Sequence, residues 1–264
     1  MLVHRGIKEL NNDLHNAVVF KYENDSDLIK LMFLKKYLDN LGFENISVLV
    51  TYLPYSRMDR SEGGSPFTLK YITEFIDSLG FDRVVLIEPH SDVSPALLNN
   101  VESLYINFDL VKDVMKEVDF NPEEDYIMFP DNGAAKRYSK MKVKNELVGH
   151  KHRNFETGRI ESLEVIGSPI KNPNKVIIVD DLSSYGGTFM MSGGKLKELG
   201  FKEIYLLVGH AENSVFKGHL LTEESPITKV FTTDSILTEQ NNWENKKYED
   251  KIKIYSIEDL LINN

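Results

Sequence analysis

Val176-Ile177-Ile178-Val179-Asp180-Asp181-Leu182-Ser183-Ser184-Tyr185-Gly186-Gly187-Thr188 opens as a run of β-branched residues and stops at two adjacent carboxylates. A short loop with two glycines and a threonine follows, and a helix is predicted over about 189–199. An all-apolar β-branched run reads as a strand buried on both faces. Strand, acidic tip, Gly-rich loop and helix start together bring backbone N–H groups and a helix N-terminus beside two carboxylates. The N–H groups suit a phosphate, and the carboxylates suit sugar hydroxyls or a bridging metal.

The same organisation extends along the chain. Leu41-Gly42-Phe43, Leu79-Gly80-Phe81 and Leu199-Gly200-Phe201 each stand between a helical pattern and an apolar run, Ile46–Val50, Val84–Ile87 and Ile204–Val208 respectively. Each reads as a helix end, a glycine free to take positive φ, and an apolar anchor before a buried strand. Helices alternating with such strands argue for an α/β fold with parallel sheet and helices on both faces. Further strands are predicted over 17–21, 126–129, 146–149 and 230–235, and further helices over 27–41, 67–79 and 108–118. The tail, 252–261, reads as a strand and a short helix. A compact boundary near Asn107 divides the chain into 1–107 and 108–255, with the terminal helix, about 256–264, expected to pack back on the first domain.

Composition excludes several classes. At 264 residues with 41% hydrophobic and 27% charged residues, the chain can form one large or two modest cores. A formal net charge of −10 argues against broad nucleic-acid binding. The absence of cysteine excludes disulfides, thiolate metal sites and cysteine nucleophiles. No run is long enough to span a membrane as a helix, and Met1-Leu2-Val3-His4-Arg5 does not open a signal peptide, so a cytoplasmic protein is expected.

In open α/β sheets, ligands bind outside the carboxyl ends of the strands. There Asp180 and Asp181 read either as caps of the following loop or as ligands of a sugar. The Gly186-Gly187-Thr188 continuation favours the second, because it adds close-approach backbone and a hydroxyl. One exposed helix N-terminus is worth only about 0.3–1 kcal/mol to an anion, so nearby cations must help. Arg57 and Arg60, and Lys151 and Arg153, follow predicted strands at that edge, although each alone could be a solvated surface charge. His90 and Asp131 also follow strands; a histidine and a carboxylate can hold Mg²⁺ beside phosphates, and His90 could equally be a hydrogen-bonded turn residue. His150 and His152 flank Lys151 in a basic loop suited to anions more than to a metal.

These motifs resemble a family. Val176–Thr188 is similar to the phosphoribosyl pyrophosphate (PRPP) motif of phosphoribosyltransferases. Pro54-Tyr55-Ser56-Arg57-Met58-Asp59-Arg60 resembles the ATP loop of the ribose-phosphate pyrophosphokinases, or PRPP synthetases. His90 stands where their metal histidine does, Asp131-Asn132-Gly133 matches their Asp-x-Gly metal loop, and Lys151-His152-Arg153 resembles the basic part of their catalytic loop. Asn24-Asp25 and His210 also fit. The motifs occur in the family's order, and the resemblance covers nearly the whole chain from about Val18.

The resemblance implies two phosphoribosyltransferase-like domains and transfer of the β,γ-diphosphate of ATP to the anomeric hydroxyl of ribose 5-phosphate, giving PRPP and AMP. It implies Lys151 and Arg153 as catalytic residues. Asp180, Asp181, Ser184, Tyr185, Gly186, Gly187 and Thr188 would bind the ribose phosphate, and Arg57, Met58, Asp59, Arg60 and His90 would bind ATP. His90 and Asp131 would bind Mg²⁺, and the protein would be a homo-oligomer, a dimer or a hexamer. There are departures. The family's Asp-Thr-Gly-Gly-Thr is here Ser184-Tyr185-Gly186-Gly187-Thr188, and Met58 replaces a glutamine. The family's N-terminal Phe-x-Asp-Gly-Glu adenine segment has no counterpart, which marks a divergent, N-terminally shortened member and puts the ATP site and the hexamer in question. A loop that loses a carboxylate and gains Tyr185 would suit a larger, more negative 5′-substituent, as in ADP-ribose, a route to rebuilding NAD. A phosphoribosyltransferase and a catalytically silent regulatory relative are the other classes open to such a sequence.

Overall fold

The computed structural model describes residues 16–61, 63–153, 160–237 and 250–262. The chain forms two compact units, Met1–Tyr105 and Ile106–Asn264.

In the first unit the order is β1 (Asn16–Phe20), α1 (Ser26–Asn40), β2 (Ile46–Val50), α2 (Thr68–Ser78), β3 (Arg83–Ile87), α3 (Val93–Ala96) and β4 (Val101–Leu104). The four strands pair in sequence order, all parallel. Val48, Val50 and Leu86 on the strands pack with Leu31 and Leu38 of α1 and Leu69 and Ile76 of α2. Strand β4 and helix α3 had no prediction. Val-Glu-Ser-Leu is a short edge strand of mixed polarity, which carries neither a buried apolar run nor a clean alternation.

The second unit comprises α4 (Asn107–Glu117), β5 (Tyr126–Phe129), α5 (Asn132–Arg137), β6 (Glu146–Arg153), β7 (Ile160–Gly167), β8 (Lys175–Ser183), α6 (Gly187–Glu198), β9 (Glu203–Ala211), β10 (Lys229–Thr233), β11 (Ile252–Tyr255) and α7 (Ile257–Ile262). Its sheet has the order β11-β10-β9-β8-β5-β6-β7 and is parallel throughout except for the β6–β7 pair. Two cores lie on the two faces. Val176 and Ile178 of β8 join Phe189 and Leu196 of α6 on one face, and Ile177 and Val179 join Leu110 and Val114 of α4 on the other. Successive residues of the apolar run thus serve opposite cores, as the period of a strand requires. The fold is α/β, with one parallel and one mostly parallel sheet. Gly42, Gly80 and Gly200 take φ of 77°, 69° and 96°, as the three helix ends demand.

Four expectations are corrected. Strand β8 does not stop at the carboxylates but continues to Ser183, because β9 pairs with it as far as Ala211. The Asp131-Asn132-Gly133 stretch opens a helix rather than forming a loop: Asp131 caps α5, its Oδ1 accepting from the Ala134 amide at 3.1 Å. Lys151 and Arg153 lie on strand β6 rather than in a loop, paired with β7, and their side chains fall outside the described residues. The terminal helix α7 belongs to the second unit: the Ile257 amide donates to Asp234 Oδ1 at 2.8 Å, and Leu260 packs on the α4-side core. Among the described residues no helix is long and apolar enough to cross a membrane.

Candidate functional site

In the second unit the chemistry gathers at the carboxyl end of β8. Asp180 and Asp181 sit within the last four residues of the strand, where a carboxylate must find a partner. The partner is Arg137, the last residue of α5. Its guanidinium is 2.8 Å from Asp181 Oδ1 and 3.6 Å from Asp180 Oδ1. The Asp181 amide donates to Asp180 Oδ1 at 2.9 Å. Burial, then the neighbouring Asp181, then the charge of Asp131 hold the Asp180 carboxyl well above the usual carboxylate range, with the Asp181 amide opposing. Asp131 therefore belongs to the same charge cluster.

Beyond Ser183 the chain turns through Ser184, Tyr185 and Gly186 into α6. Gly186 is the N-cap with φ of 82°, and a Cβ there would lie 2.9 Å from Leu220. Only glycine meets both conditions. Gly187 opens the helix with no atom near its Cβ position, and Thr188 is half-buried. Tyr185 is 60% exposed. Ser184 Oγ lies 2.9 Å from Ser214 Oγ, which in turn donates to Glu212 Oε2 at 3.3 Å. The loop thus regains, through two hydroxyls, a link to a carboxylate at the end of β9. At that end His210 is buried, its Nδ1 2.6 Å from Ser235 Oγ.

Lys151 and Arg153 reach this unit on an unusual support. Strand β5 pairs only with Glu146, Leu147 and Val148 of β6, whereas β7 pairs with β6 as far as Arg153. From Gly149 onward β6 and β7 form a two-stranded ribbon. A Cβ at Gly149 would lie 2.7 Å from the Pro130 carbonyl oxygen, so the ribbon leaves the sheet at a point of close backbone contact.

In the first unit the loop Tyr52–Arg60 is tied down by Asp25, whose Oδ1 accepts from Tyr22 Oη at 2.7 Å and from Tyr55 Oη at 2.8 Å. These two hydroxyls hold the Asp25 carboxyl below its usual range. Tyr55 has φ of 60°, and the Met58 amide closes a turn on its carbonyl at 2.9 Å. Arg57, Met58 and Arg60 are exposed and Asp59 is half-buried on this turn. His90 is half-buried just past β3, following the buried Glu88, whose φ of 45° bends the strand exit.

Magnesium keeps several waters and is commonly held by one or two carboxylates together with substrate phosphates. Among the described residues no cluster of three or more His, Cys, Asp or Glu side chains could cage a metal. Asp131 beside the unfavourably charged Asp180 fits the first kind of site, in which a cation arrives with phosphate and relieves the repulsion.

Sequence reasoning missed Arg137. Nothing in its local sequence gives it a role, although Asp131 three residues before Ala134 is an N-cap pattern and Ala134-Ala135-Lys136-Arg137 are good helix formers. That pattern could have placed the helix, but no local pattern shows a contact to residues 180 and 181.

No protein-family model matches the chain. It is 28% identical over 220 residues to the ribose-phosphate pyrophosphokinase of Pyrococcus abyssi, covering 81% of this chain and 75% of that protein. Against the ribose-phosphate pyrophosphokinase of Fusobacterium nucleatum the identity is 26% over 269 residues, covering 97% and 81%. In fold it matches the crystal structure of phosphoribosylpyrophosphate synthetase from Mycobacterium smegmatis, with a TM-score of 0.73 at 19% identity over 94% of this chain and 80% of that one.

Proposed function

Because this chain is a divergent relative of the ribose-phosphate pyrophosphokinases, we propose that it transfers the β,γ-diphosphate of ATP to the anomeric hydroxyl of ribose 5-phosphate, releasing AMP. The observation that carries the reading is one strand–loop–helix that joins a buried carboxylate pair, Asp180 and Asp181, to a positive-φ glycine opening a helix at Gly186. In the proposed step the anomeric oxygen attacks the β-phosphorus in line. The bond from that phosphorus to the bridging oxygen breaks, AMP leaves with the oxygen, and the hydroxyl proton passes to solvent. Such transfer depends on positioning and on neutralising charge.

The 5′-phosphate would sit on the backbone N–H groups of Tyr185, Gly186 and Gly187 and on the Thr188 hydroxyl, with Ser184 behind them. Asp180 and Asp181 would orient the ribose hydroxyls, and Lys151 and Arg153 would meet the charge of the transferring diphosphate. Arg57, Met58, Asp59 and Arg60 would bind ATP with His90. His90 and Asp131 are each proposed as Mg²⁺ ligands, and the ion's contribution would be to neutralise phosphate charge. The acceptor reaction is the test: Mg²⁺-dependent AMP formation from ATP must require a ribose phosphate. Lys151→Ala should lower turnover about 10²–10³-fold, by analogy with other preorganised charge stabilisers; near-normal turnover would remove Lys151 from its role. No AMP on any ribose phosphate would favour a silent relative, and PRPP consumption without AMP a phosphoribosyltransferase.

A second acceptor has its own support. Tyr185 is largely exposed beside the phosphate loop, where Ser184 has replaced a carboxylate. An aromatic face there could stack on the base of a longer 5′-substituent, and ADP-ribose is the acceptor that this favours. Parallel turnover measurements on ribose 5-phosphate and ADP-ribose decide between them, and clear selectivity for ribose 5-phosphate rejects the longer acceptor. Self-association is part of the proposal.

A further inference from the structure

Resting on the reading of Asp180 and Asp181 as the acceptor's hydroxyl ligands, we propose that Arg137 is a positioning residue that divides their labour. Arg137 clamps Asp181, and Asp180 alone offers a carboxylate oxygen to the acceptor. The Arg137 side chain is only 14% exposed, so its charge has left water and depends on what surrounds it. It donates to Asp181 Oδ1 at 2.8 Å, and its guanidinium lies over the Tyr138 ring at 5.8 Å. Asp180 Oδ1, at 3.6 Å, is beyond hydrogen-bond reach of Arg137 and is occupied instead by the Asp181 amide. The Asp180 side chain is 16% exposed. One carboxylate is thus tied to a buried cation, while its neighbour is held by a backbone amide and is not hydrogen-bonded to that cation.

Behind Arg137 stands a second layer. Asn107, fully buried at the start of α4, donates from Nδ2 to Tyr138 Oη at 2.9 Å and to the Asp180 carbonyl at 2.8 Å. One amide group therefore locks the strand backbone at Asp180 to the ring beneath Arg137. Stability alone gives this arrangement no reason, because buried ion pairs are often matched or bettered by apolar residues of similar volume. Orientation does give one: two carboxylates on adjacent residues need a fixed register against the phosphate loop.

The experiment compares Arg137→Gln, Arg137→Lys and Tyr138→Phe with the wild type in steady-state assays using ATP and ribose 5-phosphate or ADP-ribose, whichever the wild type turns over. Folding is checked by circular dichroism. Misplacing a reacting group by about 1 Å can cost around 10²-fold, so Arg137→Gln should raise the acceptor KM by tens of fold or more with the ATP KM unchanged. Arg137→Lys should recover part of the loss. Tyr138→Phe removes a single hydroxyl and carries the test if the glutamine variant does not fold; its acceptor KM should rise severalfold. An active wild type with a normal acceptor KM in folded Arg137→Gln, or in Tyr138→Phe, overturns this assignment alone. Equal losses for both substrates, with no recovery in Arg137→Lys, would mark Arg137 as merely structural. A wild type that neither turns over nor binds an acceptor overturns the reading of the site and this assignment with it.

Discussion

Gly186 combines a φ of 82° with a Cβ position 2.9 Å from Leu220, so an alanine there meets backbone strain and a clash together. Strain of this kind costs on the order of 1–3 kcal/mol. Gly186→Ala should lower the denaturant midpoint accordingly and weaken binding of ribose 5-phosphate, measured by calorimetry, because the loop amides would no longer converge. Unchanged stability and unchanged binding would show that the loop does not need its conformation. Single residues differ in how legible they are from sequence. Gly186 announces itself by following a strand and preceding a helix, a purely local pattern. Arg137 does not, because its partners are far along the chain and its role exists only once β5 and β8 lie side by side.

At the level of elements, Asp25 shows how a loop is held by a short polar link rather than by a core. The Tyr22 and Tyr55 hydroxyls lower its carboxyl pKa. A carboxyl whose folded pKa is below its unfolded value of about 3.9 adds stability that is complete above that pH and is lost as the pH falls through the folded value. Acidification below about pH 4 should therefore release the turn at Tyr55–Met58, seen as lost protection of the Met58 amide relative to its intrinsic exchange rate at the same pH. Asp25→Asn should exchange fast already at pH 7 and show no further acid step; matching profiles for variant and wild type would refute the link. Strand β7 was unread for a related reason. Leu163 and Val165 face the core while Glu164 and Ile166 point away, the half-buried alternation of an antiparallel edge. A search for wholly apolar runs passes over it.

Across the whole molecule, the α/β class was the most legible property, since every helix–glycine–strand junction repeats the same packing problem. Non-local features stayed hidden: the edge strands β4 and β7, the ion pair on the carboxylates, and the membership of α7. The first unit also leaves an apolar stripe on α1, where Ile29, Phe33, Tyr37 and Leu41 follow at a spacing that keeps them on one side of the helix, with Phe33 63% exposed. A second copy of the chain could cover it with the same stripe across a two-fold axis. Light scattering should then give an assembly for the wild type and a smaller species for Phe33→Asp, and a monomeric wild type would exclude that use of the surface. The β6–β7 ribbon has a mechanical consequence. At about 3.3 Å per residue, Arg153 stands about 13 Å beyond Gly149, so a turn of roughly 10° at that glycine carries the arginine's backbone about 2 Å. The ribbon leaves the sheet where Gly149 lies against the Pro130 carbonyl. A substitution at Gly149 would therefore shift the backbone that carries Lys151 and Arg153 while leaving both residues intact.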